Sequence, residues 1–143
     1  MPTFVVDASV AAAWCFPDEG TEYTNAVLHA VLNSSGAIAP RLWAYELRNS
    51  VLIGARRGRI TKAHALDVLA SLQSLQLFLT DPVSYDGLLD LADKHKLTIY
   101  DTAYLDLALR EALPLASLDS DLCKAAEAEP ITLFQPRRRP DVG

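Results

Sequence analysis

The feature that most constrains this chain is its alternation of short apolar runs with longer stretches of helical period. The spacing predicts strands at 3–6, 37–39, 76–80, 115–118 and 131–134. It predicts helices at 8–14, 19–33, 42–58, 62–74, 83–95, 101–112 and 120–128. Strands separated by helices need crossover connections, and crossovers make neighbouring strands parallel. The expected fold class is therefore α/β: a three-layer α/β/α sandwich with a mainly parallel central sheet. Pro17, Gly36, Pro40, Pro82 and Pro114 fall at the joins between elements. With 143 residues and no internal repeat or linker, the chain is expected to form a single domain over 1–136. The basic segment 137–143 is expected to be a frayed, flexible tail.

Composition narrows the function classes. Half of the residues are apolar and 22% are charged, a globular balance rather than a disordered one. No apolar run approaches the roughly 18 residues of a membrane span, and Asp7 interrupts what would be the core of a signal peptide. A soluble cytoplasmic protein with no membrane partner is expected. Cys15 and Cys123 have no metal-type spacing and are expected to be free, buried thiols. His29, His64 and His95 fall in separate helical segments, so a zinc site is not expected. The net charge of −5, from 13 basic and 18 acidic residues, argues against holding nucleic acid by general electrostatics alone. The basic residues nevertheless cluster, at Arg48, Arg56, Arg57 and Arg59 and at Arg137 to Arg139. A solvated helix end and a soluble tail would account for both clusters.

Four acids stand in unusual places. Asp7 ends Phe4-Val5-Val6, and Asp119 ends Leu115-Ala116-Ser117-Leu118. Asp101 opens the helical stretch Asp101-Thr102-Ala103-Tyr104-Leu105, and Glu46 lies within Leu42-Trp43-Ala44-Tyr45-Glu46-Leu47. A carboxylate beside a buried segment is costly unless something stabilises its charge. Asp7 and Asp119 can each be helix caps, a role that uses one carboxylate oxygen and leaves the other free. Asp101 heads the apolar stripe of Leu105, Ala108, Leu109 and Ala112. Glu46 and Asn49 form a polar notch beside a separate stripe of Ala44, Leu47, Val51 and Ala55. Asp106 serves as a contrast, since it faces Arg110 four residues on as an ordinary surface pair.

In an open parallel sheet, sites form beyond the carboxyl ends of the strands, where Asp7 and Asp119 both sit. Two carboxylates about 5 Å apart at an effective dielectric near 20 repel by roughly 3 kcal/mol. Converging acids must protonate, splay apart or take up a cation. An all-oxygen set suits a hard ion, Mg²⁺ or Mn²⁺, which can activate water and bind phosphoryl oxygens.

The chain resembles the PIN-domain proteins, and most closely the VapC-type toxin ribonucleases of toxin–antitoxin pairs. The resemblance rests on Val5-Val6-Asp7-Ala8-Ser9, Pro40-Arg41-Leu42-Trp43-Ala44-Tyr45-Glu46, Thr98-Ile99-Tyr100-Asp101-Thr102-Ala103-Tyr104 and Leu115-Ala116-Ser117-Leu118-Asp119. It implies a Mg²⁺- or Mn²⁺-dependent endoribonuclease in which a metal-activated water attacks the scissile phosphate in line. It carries over Asp7, Glu46, Asp101 and Asp119 as the catalytic acids. Asp7 and Asp101 would hold the metal, with Glu46 and Asp119 acting through water or a second ion. Ser9 matches a small polar position beside the first aspartate; Asn49, Ser117 and Asp121 are candidate supporting residues. Arg48, Arg56, Arg57 and Arg59 become candidates for gripping the RNA backbone. A cognate antitoxin and a homodimer are also implied, with Trp14, Phe16, Trp43 and Tyr45 either lining a partner surface or packing in the core.

Two rivals remain. A haloacid-dehalogenase-like phosphatase also ends its first strand in aspartate but wants a second aspartate two residues later, where this chain has Ser9. A catalytically silent PIN-fold module that binds RNA or a partner would have little reason to keep four mutually repelling acids.

Overall fold

The computed structural model describes residues 2–34 and 36–136. The elements run β1 (Val5–Val6), α1 (Ala8–Cys15), α2 (Glu22–Asn33), β2 (Ala37–Pro40), α3 (Leu42–Arg56), α4 (Lys62–Leu72), β3 (Leu77–Thr80), α5 (Tyr85–His95), α6 (Ile99–Glu111), β4 (Leu115–Ala116) and α7 (Ser120–Ala128). The sheet has the order β3-β2-β1-β4, and every pairing is parallel. Val5 stands opposite both Ile38 and Leu115, so β1 is central and wholly buried. The result is the expected three-layer α/β/α sandwich. The chain steps outward from β1 to β2 to β3, then returns to place β4 on the other side of β1. That reversal opens a crevice beyond the ends of β1 and β4, where ligands bind in sheets of this kind.

Local chemistry sets where the helices begin. Thr21 and Thr24 form a reciprocal capping box, so α2 starts at Glu22 rather than at the expected 19. Ser84 caps α5 and Thr98 caps α6, moving the start of the first later than expected and that of the second earlier. Helix α3 stops at Arg56, two residues before Gly58, which takes the left-handed conformation with φ of 75°.

Three expectations need correction. The strand expected at 131–134 is reduced to one isolated parallel bridge between Leu115 and Leu133. Its partner β4 is itself only two residues long, and Pro136 offers no N–H to extend the ladder. Phe134 is held there by its N–H, which donates to the Leu115 carbonyl at 2.8 Å, and by stacking on Phe4, with ring centroids 3.9 Å apart. On α3 the buried face is Trp43, Leu47, Val51 and Gly54, displaced from the expected stripe, with Ala44 and Ala55 only half-buried. Helix α6 has no single buried stripe. It buries Thr102, Ala103, Tyr104, Leu105, Leu107 and Ala108, because it packs on β1, β2, β4, α5 and α7 together. Ala112, expected to close its stripe, is an exposed left-handed cap.

One contiguous apolar cluster joins the sheet to both helical layers. No helix among the described residues is long and apolar enough to cross a membrane. Cys15 is buried and Cys123 half-buried, and both are free. The basic tail at 137–143 lies outside the described residues.

Candidate active site

The crevice at the strand reversal is lined by acids. Asp7 follows β1 and occupies the N-cap position of α1, while Asp119 follows β4 and N-caps α7. Asp101 lies in the first turn of α6, and Glu46 projects from the second turn of α3. Together with Ala8, Ser9, Asn49 and Ser50, these four carboxylates line one cavity of about 280 Å³. Among the described residues, none of the four forms an ion pair with a lysine, arginine or histidine.

Asp7 is the most deeply set, at 5% exposure. Although it stands at a cap position, its carboxylate makes no capping hydrogen bond to α1. Its Oδ2 instead accepts hydrogen bonds from the Ser9 and Ser117 hydroxyls, each at 2.7 Å. Those hydroxyls in turn accept backbone N–H groups: Leu118 donates to Ser9 and Asp119 donates to Ser117, each at 3.0 Å. The loop after β4 is thereby wired to the carboxylate after β1. Burial pushes the Asp7 carboxyl above its ordinary range, and the Asp119 charge adds to that, while the two serines oppose it.

Two of the other acids also commit one oxygen to the protein. Asp119 Oδ1 accepts the Leu122 N–H at 2.9 Å, a true helix cap. Glu46 Oε1 accepts the Tyr104 hydroxyl at 2.7 Å. No protein donor among the described residues reaches Asp119 Oδ2 or Glu46 Oε2. Burial raises the Glu46 carboxyl, with Asp7 and Asp101 adding to the shift and Tyr104 opposing it. Burial likewise raises Asp101, reinforced by Asp119 and Asp7 and partly offset by the Thr98 hydroxyl. Each of these three charges is thus opposed by burial and by its neighbours, and a cation in the cavity would relieve both.

The donor set fits a hard divalent ion: it is all oxygen, carries uncompensated negative charge and stays open to water. Among the described residues, no three carboxylate, imidazole or thiol groups stand close enough together to hold an ion unaided. The arrangement therefore suits an ion that takes one or two carboxylates and keeps water in the rest of its shell.

The remaining candidates divide. Asn49 lines the cavity and Ser117 lies beneath it on Asp7, whereas Asp121 is exposed on α7 and reaches Asp101 only through its field. Arg48, Arg56 and Arg57 are exposed along α3, with Arg48 donating back to the Ala44 carbonyl. Arg59 is taken up by Asp18 and Glu19 at 3.1 and 3.2 Å. Phe16 and Trp43 are core residues and Trp14 is half-buried, its Nε1 donating to the Thr24 carbonyl; Tyr45 alone of that group is exposed. Asp106 pairs with Arg110 at 3.7 Å, away from the cavity. The acid stripes did not single out Tyr104. A tyrosine amid an otherwise apolar helix core was its only sequence signal, since a buried phenol needs a partner.

Comparison with known proteins places this geometry. The PIN domain family matches residues 4–128. Ribonuclease VapC3 of Pyrobaculum aerophilum is 34% identical over 124 residues, covering 84% of this chain and 92% of its own. The crystal structure of PAE2754 from Pyrobaculum aerophilum shares the fold with a TM-score of 0.71 at 23% identity, over 87% of this chain and 84% of that one. That of FitAcB from Neisseria gonorrhoeae gives 0.57 at 18% identity, over 94% and 98%. With its sequence matched from β1 through α7 and its acids gathered at the strand reversal, the chain belongs to the PIN-domain family.

Proposed function

We propose that this protein is a metal-dependent endoribonuclease, the toxin of a toxin–antitoxin pair, which hydrolyses RNA phosphodiester bonds. The observation that carries the reading is the convergence of Asp7, Glu46, Asp101 and Asp119 on one cavity without any basic partner among the described residues. The similarity to Ribonuclease VapC3 along most of both chains supports the choice of RNA and of the toxin role.

In this reading Asp7 and Asp101 would hold Mg²⁺ or Mn²⁺ directly, and Glu46 and Asp119 would act through water or a second ion. When bound, such an ion supplies Lewis-acid polarisation of a phosphoryl oxygen and a water acidic enough to attack it. Ser9 and Ser117 favour the ionised form of Asp7 against its burial and fix its direction. Asn49 and Ser50 offer hydrogen bonds at the cavity wall to a substrate sugar or phosphate. Arg48, Arg56 and Arg57 supply phosphate contacts along α3, while Arg59, already paired, contributes less. A cognate antitoxin would cover the site, with exposed Tyr45 beside Glu46 as an aromatic contact. The protein would work in the cytoplasm as a homodimer.

The test is incubation with mixed RNAs in Mg²⁺ or Mn²⁺, alongside chelator, Asp7→Asn and Asp101→Asn. Cleavage should require the ion and fall by about 10²-fold or more in either variant. Cleavage surviving chelation or either substitution would overturn the mechanism. Tight RNA binding without cleavage would favour a silent binding module.

A further inference from the structure

Among the described residues, Tyr104 is the largest fully buried side chain, at 0% exposure in the middle of α6. A phenylalanine would fill the same space with no polar atom to satisfy, so the hydroxyl is what distinguishes this residue. A hydroxyl in an apolar interior must find a partner or lose its hydration uncompensated. Its partner lies 58 residues away in sequence, on another helix: Glu46 Oε1, at 2.7 Å. Burial, the hydrogen bond and the Glu46 charge all push the phenol's ionisation far above the working range, so it remains a donor.

Tyr104 stands three residues beyond Asp101 on the same helix, which puts the two on one face a single turn apart. One acid of the cavity is therefore carried by the helix that grips another. A glutamate has a long, mobile side chain, and Glu46 is crowded by the charges of Asp7 and Asp101. With Oε1 pinned by Tyr104, the carboxylate cannot swing away from its neighbours, and Oε2 is left without a protein donor among the described residues.

We propose that Tyr104 is a positioning residue of the active site, whose hydroxyl fixes Glu46 on α3 relative to Asp101 on α6 and so shapes the site for its divalent ion. The inference rests on the metal-dependent reading above and names a residue that serves the ion without touching it.

Tyr104→Phe tests it in the full-length protein, with Mn²⁺ binding followed by calorimetry, thermal unfolding, and kcat and KM for RNA cleavage. The variant should fold, because the ring is kept. It should bind Mn²⁺ about tenfold more weakly, the usual consequence of losing an outer hydrogen bond to a metal-site residue. At subsaturating Mn²⁺, kcat should fall while KM for RNA stays within about twofold. In a Glu46→Gln background the same change should alter Mn²⁺ affinity by less than about twofold, because its effect passes through the carboxylate. A folded Tyr104→Phe protein with unchanged Mn²⁺ affinity would overturn the assignment. So would an equal loss with and without the Glu46 carboxylate, or a wild-type protein that takes up no divalent ion. The expected binding pattern in a protein that leaves RNA intact would support Tyr104 and overturn the ribonuclease reading.

Discussion

Two cavities lie side by side where α1 packs on α3, sharing Ser50 as a wall, and they treat charge in opposite ways. At the start of α3, four carboxylates converge with no basic partner among the described residues. Beyond its end, Arg59 is paired with Asp18 and Glu19, and its guanidinium lies 4.4 Å from the centre of the Phe16 ring. Phe16 is in turn wedged against Gly54, where an added Cβ would fall 2.3 Å from the ring. At this pole Arg59 is compensated and Phe16 closely packed, as expected of contacts that serve stability. The other keeps like charges together against burial and repulsion. Folding alone gives no reason for such an arrangement, but a ligand of opposite charge does.

The comparison breaks most sharply at Gly54. Gly54→Ala should destabilise the protein by about 1–3 kcal/mol through overpacking against Phe16, read as a lower urea midpoint at unchanged m. A variant as stable as the parent would show that this pole is loosely packed after all.

At the acid pole the sign should reverse. Asp101 titrates above its ordinary 3.8 in the folded protein, so between that value and its raised one the folded state binds the proton more tightly than the unfolded state does. Its contribution to stability is fully present below 3.8 and is lost as pH rises through the raised value. Removing the charge with Asp101→Asn should therefore stabilise the metal-free protein at pH 7, by at most about 1 kcal/mol after solvent screening. The gain should vanish below pH 4 in thermal melts of the two proteins. Destabilisation at pH 7 would mean that Asp101 is already compensated.

The smallest effect is expected at Arg59. Its ion pairs are partly exposed, so Arg59→Ala should lower the melting temperature only slightly, and high salt should narrow the difference further. A large loss would make the basic pole far more than an exposed set of pairs over an aromatic ring.

Much of this architecture was legible along the chain because its signals are local. Apolar runs between helical periods predict a parallel sheet, and aspartates at the ends of two such runs predict a shared edge. What escaped was the part made by distant neighbours. The apolar stripe on α6 implies one buried side, yet the helix has partners almost all round and buries Ala103, Tyr104 and Leu107 as well. Capping was open to both Asp7 and Asp119. Only Asp119 caps, because Ser117 from a loop 110 residues away, together with Ser9, claims the carboxylate of Asp7. The expected strand at 131–134 had the right apolar character but met a two-residue partner.

The sequence by itself determined the family, the layer order and the identity of four acids in apolar surroundings, since periodicity and residue type are properties of short segments. Tertiary structure decided how those acids are held. The Ser117 hydroxyl under Asp7, the phenol on Glu46 and the neutralisation of Arg59 are contacts between segments far apart in the chain. Hydrogen bonds and ion pairs act over a few ångströms of space, so the sequence around one partner does not say which distant residue will meet it.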